Sequence, residues 1–409
     1  MSAPAPKAPK AAPFLPYGRQ VIEEDDIAAV CEALRGDFLT TGPLVGRFEA
    51  ALAGAVRARH AVACANGTAA LHMAARALAL GPGTTVIVPS ITFLATASAP
   101  HMNGAEIVFA DVDPRSGLMR PQDLERALAG SGGADAVFNV HLNGACGEVE
   151  EIAEIARKSG LKIVDDACHA LGTGYAASDG TDRLVGDNAY SDLTVFSFHP
   201  VKTITLGEGG AVSAEDAAIA AALLRARNHG MTRDPDEFAV EEAAFDAAGR
   251  VNPWYYELVE PGFNWRVTDI QCALGISQLA KLPRFAARRR ALAAAYDTLL
   301  APYGERLVPA ARRSSVSPVL HLYAVLIDFE ACGLSRGEVM RRLSAEGIGT
   351  QVHYFPVHRQ RYYAERYGAC DLPGADSYYA RVLSLPLFPS MSMEDVERVS
   401  LALGRILGF

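Results

Sequence analysis

Between residues 61 and 214 the chain alternates short apolar runs with longer stretches of helical spacing, and this alternation restricts the possible folds strongly. Runs that are apolar throughout are typical of strands covered on both faces, so they predict a largely parallel sheet between two layers of helices. The sequence therefore predicts a three-layer α/β domain. The predicted strands are 61–65, 85–90, 106–112, 136–142, 162–167, 193–200 and 209–214, and the predicted helices are 68–80, 92–103 and 149–160.

The segments on either side of this region predict more helices and a second, smaller unit. Helical spacing precedes the first strand, and a mixed pattern follows a helical stretch that begins at Asp269. Outside the first region, helices are predicted at 23–35, 45–56, 269–299, 336–348 and 393–407, and strands at 321–328 and 350–355.

These patterns divide the chain into three parts. We expect a large α/β domain over 13–268 and a small C-terminal α+β domain over 269–409. Residues 1–12 are rich in Ala, Pro and Lys and have no apolar core, so they predict a disordered tail rather than a secretory leader.

Charge and cysteine content exclude several classes of protein. Among 409 residues, 38 are basic and 47 acidic, which gives a net charge of −9 and argues against nucleic-acid binding. The densest basic run, 284–290, predicts a solvated helix face. No apolar run is long enough to span a bilayer, and the seven cysteines form no CxxC pair. We therefore expect a cytoplasmic protein with reduced thiols, no metal site and no membrane partner.

The first candidate site is Asn66-Gly67-Thr68, which joins a predicted strand to a predicted helix. A helix N-terminus offers free backbone N–H groups and the positive end of the helix dipole, which suits a phosphate. The same three residues also fit an ordinary turn and helix cap. Both interpretations stay open on the local sequence.

The second candidate is Asp165-Asp166 at the carboxyl end of an apolar strand, followed by Cys168 and His169. Open α/β sheets bind their ligands at this edge. Alternatively one Asp caps a helix and His169 is an ordinary hydrogen-bonding residue. A Cys168–His169 nucleophilic pair is disfavoured, because adjacent side chains seldom point at each other.

The third candidate is Lys202, which follows a strand and precedes the turn Gly207-Glu208-Gly209-Gly210. A desolvated lysine can bind a carbonyl group covalently, although a surface lysine in a loop is the simpler interpretation. The three candidates together favour pyridoxal phosphate (PLP). This cofactor needs a lysine for its aldehyde, an acid for its ring nitrogen and a cup for its phosphate.

The motifs around these candidates resemble the DegT/DnrJ/EryC1/StrS sugar aminotransferases, from about Pro13 to the end of the chain and in the same order. The segments that carry the resemblance are FLPYGRQ (14–20), LTTGP (39–43), ANGTAALH (65–72), PSITFLATA (89–97), VDDACHALG (164–172), FSFHPVKTITLGEGG (196–210) and GFNWRVTDIQCALGISQL (262–279). The resemblance implies the PLP-dependent transferase fold of type I and a homodimer with a shared active site.

The resemblance also implies a role for each matching residue. Lys202 would bind the cofactor aldehyde and then move the substrate proton, Asp166 would pair with the ring nitrogen, and His169 would lie near the phenolic oxygen. Phe93 would stack on the ring. The phosphate would be held by Asn66, Gly67, Thr68, Ser197 and, from the neighbouring subunit, Asn264. The substrate would be bound by Tyr17, Thr41, His353 and Tyr354.

Within the family, several segments are most similar to the transaminases of pseudaminic acid biosynthesis: PYGRQ (16–20), NHGMTRD (228–234), PWYYEL (253–258), GIGTQVHYFPVHRQRYY (347–363) and SLPLFP (384–389). This resemblance implies that a nucleotide-linked 4-keto-6-deoxyhexose, such as UDP-2-acetamido-2,6-dideoxy-4-hexulose, receives an amino group from L-glutamate. Lys202 favours amino transfer, since related sugar dehydrases carry His there. Segments 141–152 and 173–187 depart from the family pattern and leave the exact sugar open.

Several alternatives remain. The same kind of enzyme could act on a GDP- or dTDP-linked ketosugar, and the scaffold could serve as a non-catalytic PLP-binding regulator. A nicotinamide dehydrogenase is disfavoured, because no GxGxxG follows the first strand. The aromatic cluster Trp254, Tyr255 and Tyr256 fits a nucleotide contact and a dimer interface equally well.

Overall fold

The computed structural model describes residues 13–409, so the predicted tail at 1–12 lies outside the described residues. The larger part of the molecule is built on one seven-stranded sheet. Its strands are β1 (His60–Cys64), β2 (Thr85–Pro89), β3 (Glu106–Ala110), β4 (Ala136–Val140), β5 (Lys162–Asp166), β8 (Leu193–Ser197) and β9 (Gly210–Ala214); the hairpin β6 (Gly174–Ala176) and β7 (Asp182–Leu184) lies between β5 and β8 in the chain.

The strand order is β1-β9-β8-β5-β4-β2-β3, and the sheet is mostly parallel. Strand β9 alone runs against its neighbours β8 and β1. Alternate strand residues pack on opposite faces: Val164 joins one apolar cluster and Ile163 another. The predicted three-layer α/β architecture is confirmed.

Nine helices surround or adjoin this sheet within the described residues. Six of them correspond to predicted helical stretches, whereas the helices at 121–131, 217–227 and 241–244 were not predicted, and the predicted helix over 269–299 is interrupted after Ala280. The nine helices are α1 (Glu24–Arg35), α2 (Pro43–Val56), α3 (Gly67–Ala77), α4 (Ala95–Met102), α5 (Pro121–Ser131), α6 (Val149–Lys158), α7 (Ala217–Arg227), α8 (Glu241–Ala244) and α9 (Asp269–Ala280). Short strands β10 (Met231–Thr232) and β11 (Glu257–Leu258) pair in the segment between α7 and α9.

The C-terminal part packs helices against a three-stranded antiparallel sheet. Its strands are β12 (Leu307–Pro309), β14 (Tyr323–Ile327) and β15 (Val382–Leu385), with β13 (Val316–Ser317) pairing instead with β6. Its helices are α10 (Leu282–Leu300), α11 (Arg336–Ala345), α12 (Arg361–Tyr367), α13 (Pro373–Arg381) and α14 (Met393–Leu407).

The packing bears on where the two domains divide. Helix α9 packs on α1 and α2, whereas α10 packs on α14. At the other end of the chain, Leu15 is buried in the core of the C-terminal part, and its backbone pairs with Ile348. The division at residue 268 stays a prediction, and the contacts of α9 favour a boundary between α9 and α10.

Two local predictions are wrong. Residues 350–355 do not form a strand: Gln351 makes one isolated bridge to Ser384, and the segment turns away to line a cavity. The basic run at 284–290 is not uniformly solvated, because Arg289 is fully buried. Its Nη1 donates to the carbonyl oxygens of Leu320, His321 and Leu387, contacts that local periodicity does not encode.

Over residues 13–409, no helix is both long and apolar enough to cross a membrane.

Candidate active site

A cavity of about 860 Å³ opens where the carboxyl ends of β5 and β8 meet the start of α3. The 351–360 segment from the C-terminal part closes another side of it. Ligand sites of open α/β sheets lie at this edge. All but two of the predicted site residues line this cavity: Tyr17, Asn66, Gly67, Thr68, Phe93, Asp166, His169, Ser197, Lys202, His353 and Tyr354.

The start of α3 forms a cup for an anion. The Asn66 side chain caps the helix by accepting from the Ala69 backbone N–H at 2.9 Å. The backbone N–H groups of Gly67 and Thr68 have no acceptor among the described residues, and both residues line the cavity. A Cβ at Gly67 would lie 3.0 Å from the Ser197 Cβ, so only glycine leaves the cup open. Cap and phosphate cup are therefore compatible at this position.

Asp166 ends β5 with a fixed, buried carboxylate. Its Oδ2 accepts from Thr96 Oγ1 at 2.7 Å, and its Oδ1 accepts from the Cys168 backbone N–H at 3.1 Å. Thr92 Oγ1 in turn lies 2.8 Å from Thr96 Oγ1. Two donors hold the carboxylate on the cavity wall, where a cationic N–H of a ligand could pair with it.

Lys202 brings its amine into the same cavity. Burial lowers the pKa of this amine, and the neighbouring Cys168 and Asp166 groups partly oppose that effect. A lysine with a lowered pKa is more readily available as a neutral nucleophile. Burial also raises the pKa of the Cys168 thiol, with the Asp166 charge adding to the rise, so Cys168 is a poor nucleophile.

Three histidines on the cavity wall are kept neutral. Burial lowers the pKa of His169 and of His321 well below the usual value, and the charge of Lys202 adds to the effect. Burial also lowers the pKa of His353 to about 3. His353 Nδ1 lies 2.8 Å from Ser384 Oγ. Uncharged imidazole rings can donate or accept hydrogen bonds without competing with Lys202 for an anion.

His169 already has protein partners for both ring nitrogens. Its Nδ1 accepts from the Asn143 backbone N–H at 3.2 Å, and its Nε2 lies 3.0 Å from Tyr354 Oη. The Phe93 ring is half exposed and lies 6.0 Å from the Tyr354 ring, centroid to centroid. The aromatic side chains thus present one apolar wall with a polar rim.

Two predicted site residues do not reach this cavity within one chain. Thr41 is exposed and lines a second cavity of about 500 Å³ together with Asn228 and Arg233. Asn264 is exposed, and its backbone pairs with Asn228. The structure therefore separates these two residues from Lys202.

Sequence reasoning missed several residues that complete the site. Thr96 holds Asp166 from 70 positions away, and the His321 ring lies 4.6 Å from the His169 ring, centroid to centroid, at a tilt of 52°. Asn143 has a left-handed backbone with φ of 63°. One signal was available for Asn143, because it lies in the segment 141–152 that departs from the family pattern. The other two contacts depend on tertiary packing.

His358, although only four positions after Tyr354, does not reach the cavity. His358 is buried with its Nδ1 2.5 Å from Ser90 Oγ.

Comparisons with known proteins agree with this geometry. Residues 20–404 match the model of the DegT/DnrJ/EryC1/StrS aminotransferase family. The structure is similar to Helicobacter pylori PseC, an aminotransferase involved in pseudaminic acid biosynthesis. The TM-score is 0.86 at 27% identity, covering 96% of this chain and 99% of PseC.

Two other solved structures are similar over nearly the whole chain. The first is the putative sugar aminotransferase Spr1654 from Streptococcus pneumoniae, solved in PLP and PMP forms, with a TM-score of 0.83, 26% identity and coverage of 96% of this chain and 98% of that one. The second is DesI, solved with its TDP-sugar product, with a TM-score of 0.82, 32% identity and coverage of 97% and 93%.

Proposed function

The chain belongs to the DegT/DnrJ/EryC1/StrS aminotransferase family, and we propose that it aminates C4 of a nucleotide-linked 4-keto-6-deoxyhexose. The protein is a PLP-dependent sugar aminotransferase. UDP-2-acetamido-2,6-dideoxy-4-hexulose is the proposed acceptor and L-glutamate the proposed donor. The observation that carries the proposal is one cavity that holds Lys202, the Asp166 carboxylate and the open N-terminus of α3.

The residues of this cavity fit PLP. The N–H groups of Gly67 and Thr68 and the Ser197 hydroxyl would hold the phosphate, and Asp166 would pair with the ring nitrogen. Phe93 would cover one face of the ring. When bound, PLP supplies an electrophilic aldehyde and an electron-poor ring that stabilises negative charge on the reacting carbon.

Lys202 would act twice in this site. Its amine, whose pKa is lowered by burial, would bind the cofactor aldehyde and later move a proton at the substrate carbon. Asp166 would keep the ring nitrogen protonated, and the hydrogen bond from Thr96 Oγ1 fixes its orientation for that role. Because burial lowers the pKa of His169 and of His353, both rings are weak bases, which leaves Lys202 as the principal base of the cavity.

Similarity to PseC supports a place in pseudaminic acid biosynthesis. The pseudaminic-type segments such as 347–363, part of which lines the cavity, imply a UDP-linked acceptor. Similarity to DesI supports the runner-up, a TDP-linked acceptor, since that neighbour was solved with its TDP-sugar product. Assays of one enzyme preparation with UDP-, GDP- and dTDP-linked 4-ketosugars separate these alternatives through kcat/KM.

A homodimer is part of the proposal. Thr41 and Asn264 lie outside the Lys202 cavity, and the surface formed by residues 251–263, just before Asn264 in the chain, is rich in exposed apolar side chains. Exposed apolar patches of this kind are typical of interfaces. A second copy that brings Asn264 to this chain's phosphate cup would explain both features. The exposed apolar residues of that surface are Val251, Trp254, Tyr256, Leu258, Val259 and Phe263.

The direct test is Lys202→Ala. We expect amino transfer to fall by at least about 10³-fold, because both the covalent attachment and the proton transfer are lost. After borohydride reduction, mass spectrometry should find the cofactor attached to the Lys202 peptide of the natural protein and to no peptide of the variant.

The matched control is Lys162→Ala, at the exposed start of β5. It should keep both attachment and turnover. Full turnover in Lys202→Ala would refute the proposal. Attachment to Lys202 without turnover of any ketosugar would instead favour the non-catalytic PLP-binding regulator.

A further inference from the structure

Asn143 is the only residue of its segment 141–147, apart from Gly144, with a left-handed backbone. Its φ of 63° directs the two polar groups of its backbone toward the histidines of the cavity. The N–H donates to His169 Nδ1 at 3.2 Å, and the carbonyl oxygen accepts from the His321 N–H at 2.9 Å. Position 144 requires glycine, since a Cβ there would lie 2.3 Å from the Val319 carbonyl oxygen.

The contact between Asn143 and His169 determines which ring nitrogen carries hydrogen. A backbone N–H can only donate, so His169 Nδ1 must accept and must be unprotonated. A neutral ring then carries its hydrogen on Nε2. Burial and the nearby Lys202 charge keep the ring neutral. The side chains packed around it, His321, His353 and Lys202, include no carboxylate that would favour a charged ring.

The hydrogen on Nε2 in turn sets the direction of the Tyr354 hydroxyl. Nε2–H lies 3.0 Å from Tyr354 Oη and donates to it. The hydroxyl hydrogen of Tyr354 has no acceptor among residues 13–409, and Tyr354 lines the cavity. A phenol that accepts from one side is free to donate on the other.

We propose that Asn143 is a positioning residue that fixes His169 as an Nε2–H donor, so that the Tyr354 hydroxyl donates into the cavity to an oxygen of the substrate sugar. The identity of that ligand rests on the proposed function, whereas the His169 tautomer does not. Neither Asn143 nor the direction of the Tyr354 hydrogen bond follows from the motif that carries Asp166.

The tautomer can be measured directly. In the holoenzyme labelled with ¹⁵N-histidine, long-range ¹H–¹⁵N spectra at pH 7.5, assigned by subtraction of a His169→Gln spectrum, should show an unprotonated Nδ1 and a protonated Nε2 for His169. A protonated Nδ1, in either the neutral or the charged ring, would overturn the proposal. This readout needs no turnover and no altered Asn143.

Two substitutions separate the backbone from the side chain of Asn143. Asn143→Gly and Asn143→Val both remove the amide that donates to Tyr378 Oη at 3.2 Å. Glycine keeps the left-handed backbone, whereas a β-branched residue disfavours it strongly. We expect Asn143→Gly to keep the His169 tautomer and the affinity for the UDP-linked 4-amino sugar within about threefold, and Asn143→Val to weaken this affinity about tenfold, since it displaces the N–H that fixes His169.

Tyr354→Phe tests the last step. Loss of one buried donor should weaken binding of the UDP-linked 4-amino sugar about tenfold by calorimetry, with the PLP attachment at Lys202 unchanged. Equal affinities of Tyr354→Phe and the natural protein would overturn the donor role of Tyr354. If the natural protein binds a dTDP-linked amino sugar instead, the UDP assignment fails, and the same comparison made with that ligand still tests Asn143 and Tyr354.

Discussion

Asp165 and Asp166 are neighbours in β5, yet their side chains lie on opposite faces of the sheet and in very different surroundings. Asp166 faces the cavity of about 860 Å³, among neutral histidines and Lys202. Asp165 faces a pocket of about 10 Å³, which is room for about one water molecule. There its Oδ1 accepts from Asn139 Nδ2 at 3.1 Å and lies 3.4 Å from His141 Nε2.

The histidines differ in the same way. Burial favours a neutral His141, but the charges of Asp165 and Cys146 outweigh it and raise the pKa of His141 well above the usual value. Burial lowers the pKa of His353 to about 3, and the charge of Lys202 adds to this effect without a carboxylate to oppose it. On the Asp165 face, charged groups thus pair with each other inside the protein, whereas on the Asp166 face polar groups stay available to a ligand.

The sharpest test of this difference is Asp166→Asn. We expect turnover to fall by at least about 10²-fold, because an amide no longer pairs with a protonated ring nitrogen. The free energy of unfolding should change by less than about 1 kcal/mol, since the amide oxygen can still accept from the Cys168 N–H and the Thr96 hydroxyl can turn to accept from the amide NH2 group. Steady-state kinetics and urea denaturation measure the two effects. A variant that loses stability rather than turnover would place Asp166 among the structural residues.

The opposite substitution, Asp165→Asn, should reverse the pattern. It leaves a buried His141 without its carboxylate, so we expect the free energy of unfolding to fall by about 3 kcal/mol while turnover of the folded enzyme stays within about threefold. Urea denaturation of Asp165→Asn with His141→Gln provides the control. The double variant should recover part of the loss, because the unpaired charge is gone. Loss of turnover comparable to that of Asp166→Asn would contradict the separation of the two faces.

Much of this comparison could be predicted from the sequence. The apolar runs predicted the strands along the chain and a mostly parallel sheet, and period-2 geometry requires adjacent residues such as Asp165 and Asp166 to face opposite ways. The family resemblance then predicted that Asp166 pairs with the cofactor, and Asp166 lines the cavity. These features are local, and local periodicity encodes them.

The parts that could not be predicted depend on contacts between distant segments. The reversed direction of β9, the irregular path of 350–355 and the burial of Arg289 each follow from what packs beside them. The hydrogen bond from Thr96 to Asp166 joins two motifs that each looked complete alone. The predicted role of Asn264 would require a second chain, and the roles of Thr41 and Asn264 stay predictions.

The smallest effect concerns the pH dependence of stability, and it has opposite signs on the two faces. The folded pKa of His353 lies below that of the unfolded chain, so its contribution is present above about pH 6.5 and is lost as the pH falls toward about 3. The folded pKa of His141 lies above the unfolded value, so its contribution is present below about pH 6.5 and is lost as the pH rises through the folded pKa.

Denaturation at a series of pH values resolves these two contributions by difference. Between pH 6 and pH 5, His353→Gln should lose about 1 kcal/mol less stability than the natural protein, since a glutamine takes up no proton. Between pH 7 and pH 9, His141→Gln should show a flatter decline than the natural protein. Because each variant is compared with the natural protein at the same pH, titration of other carboxylates cancels. If both substitutions changed the stability only below about pH 6.5, His141 would be neutral in the folded protein. The histidines on the two faces of β5 would then not differ in charge.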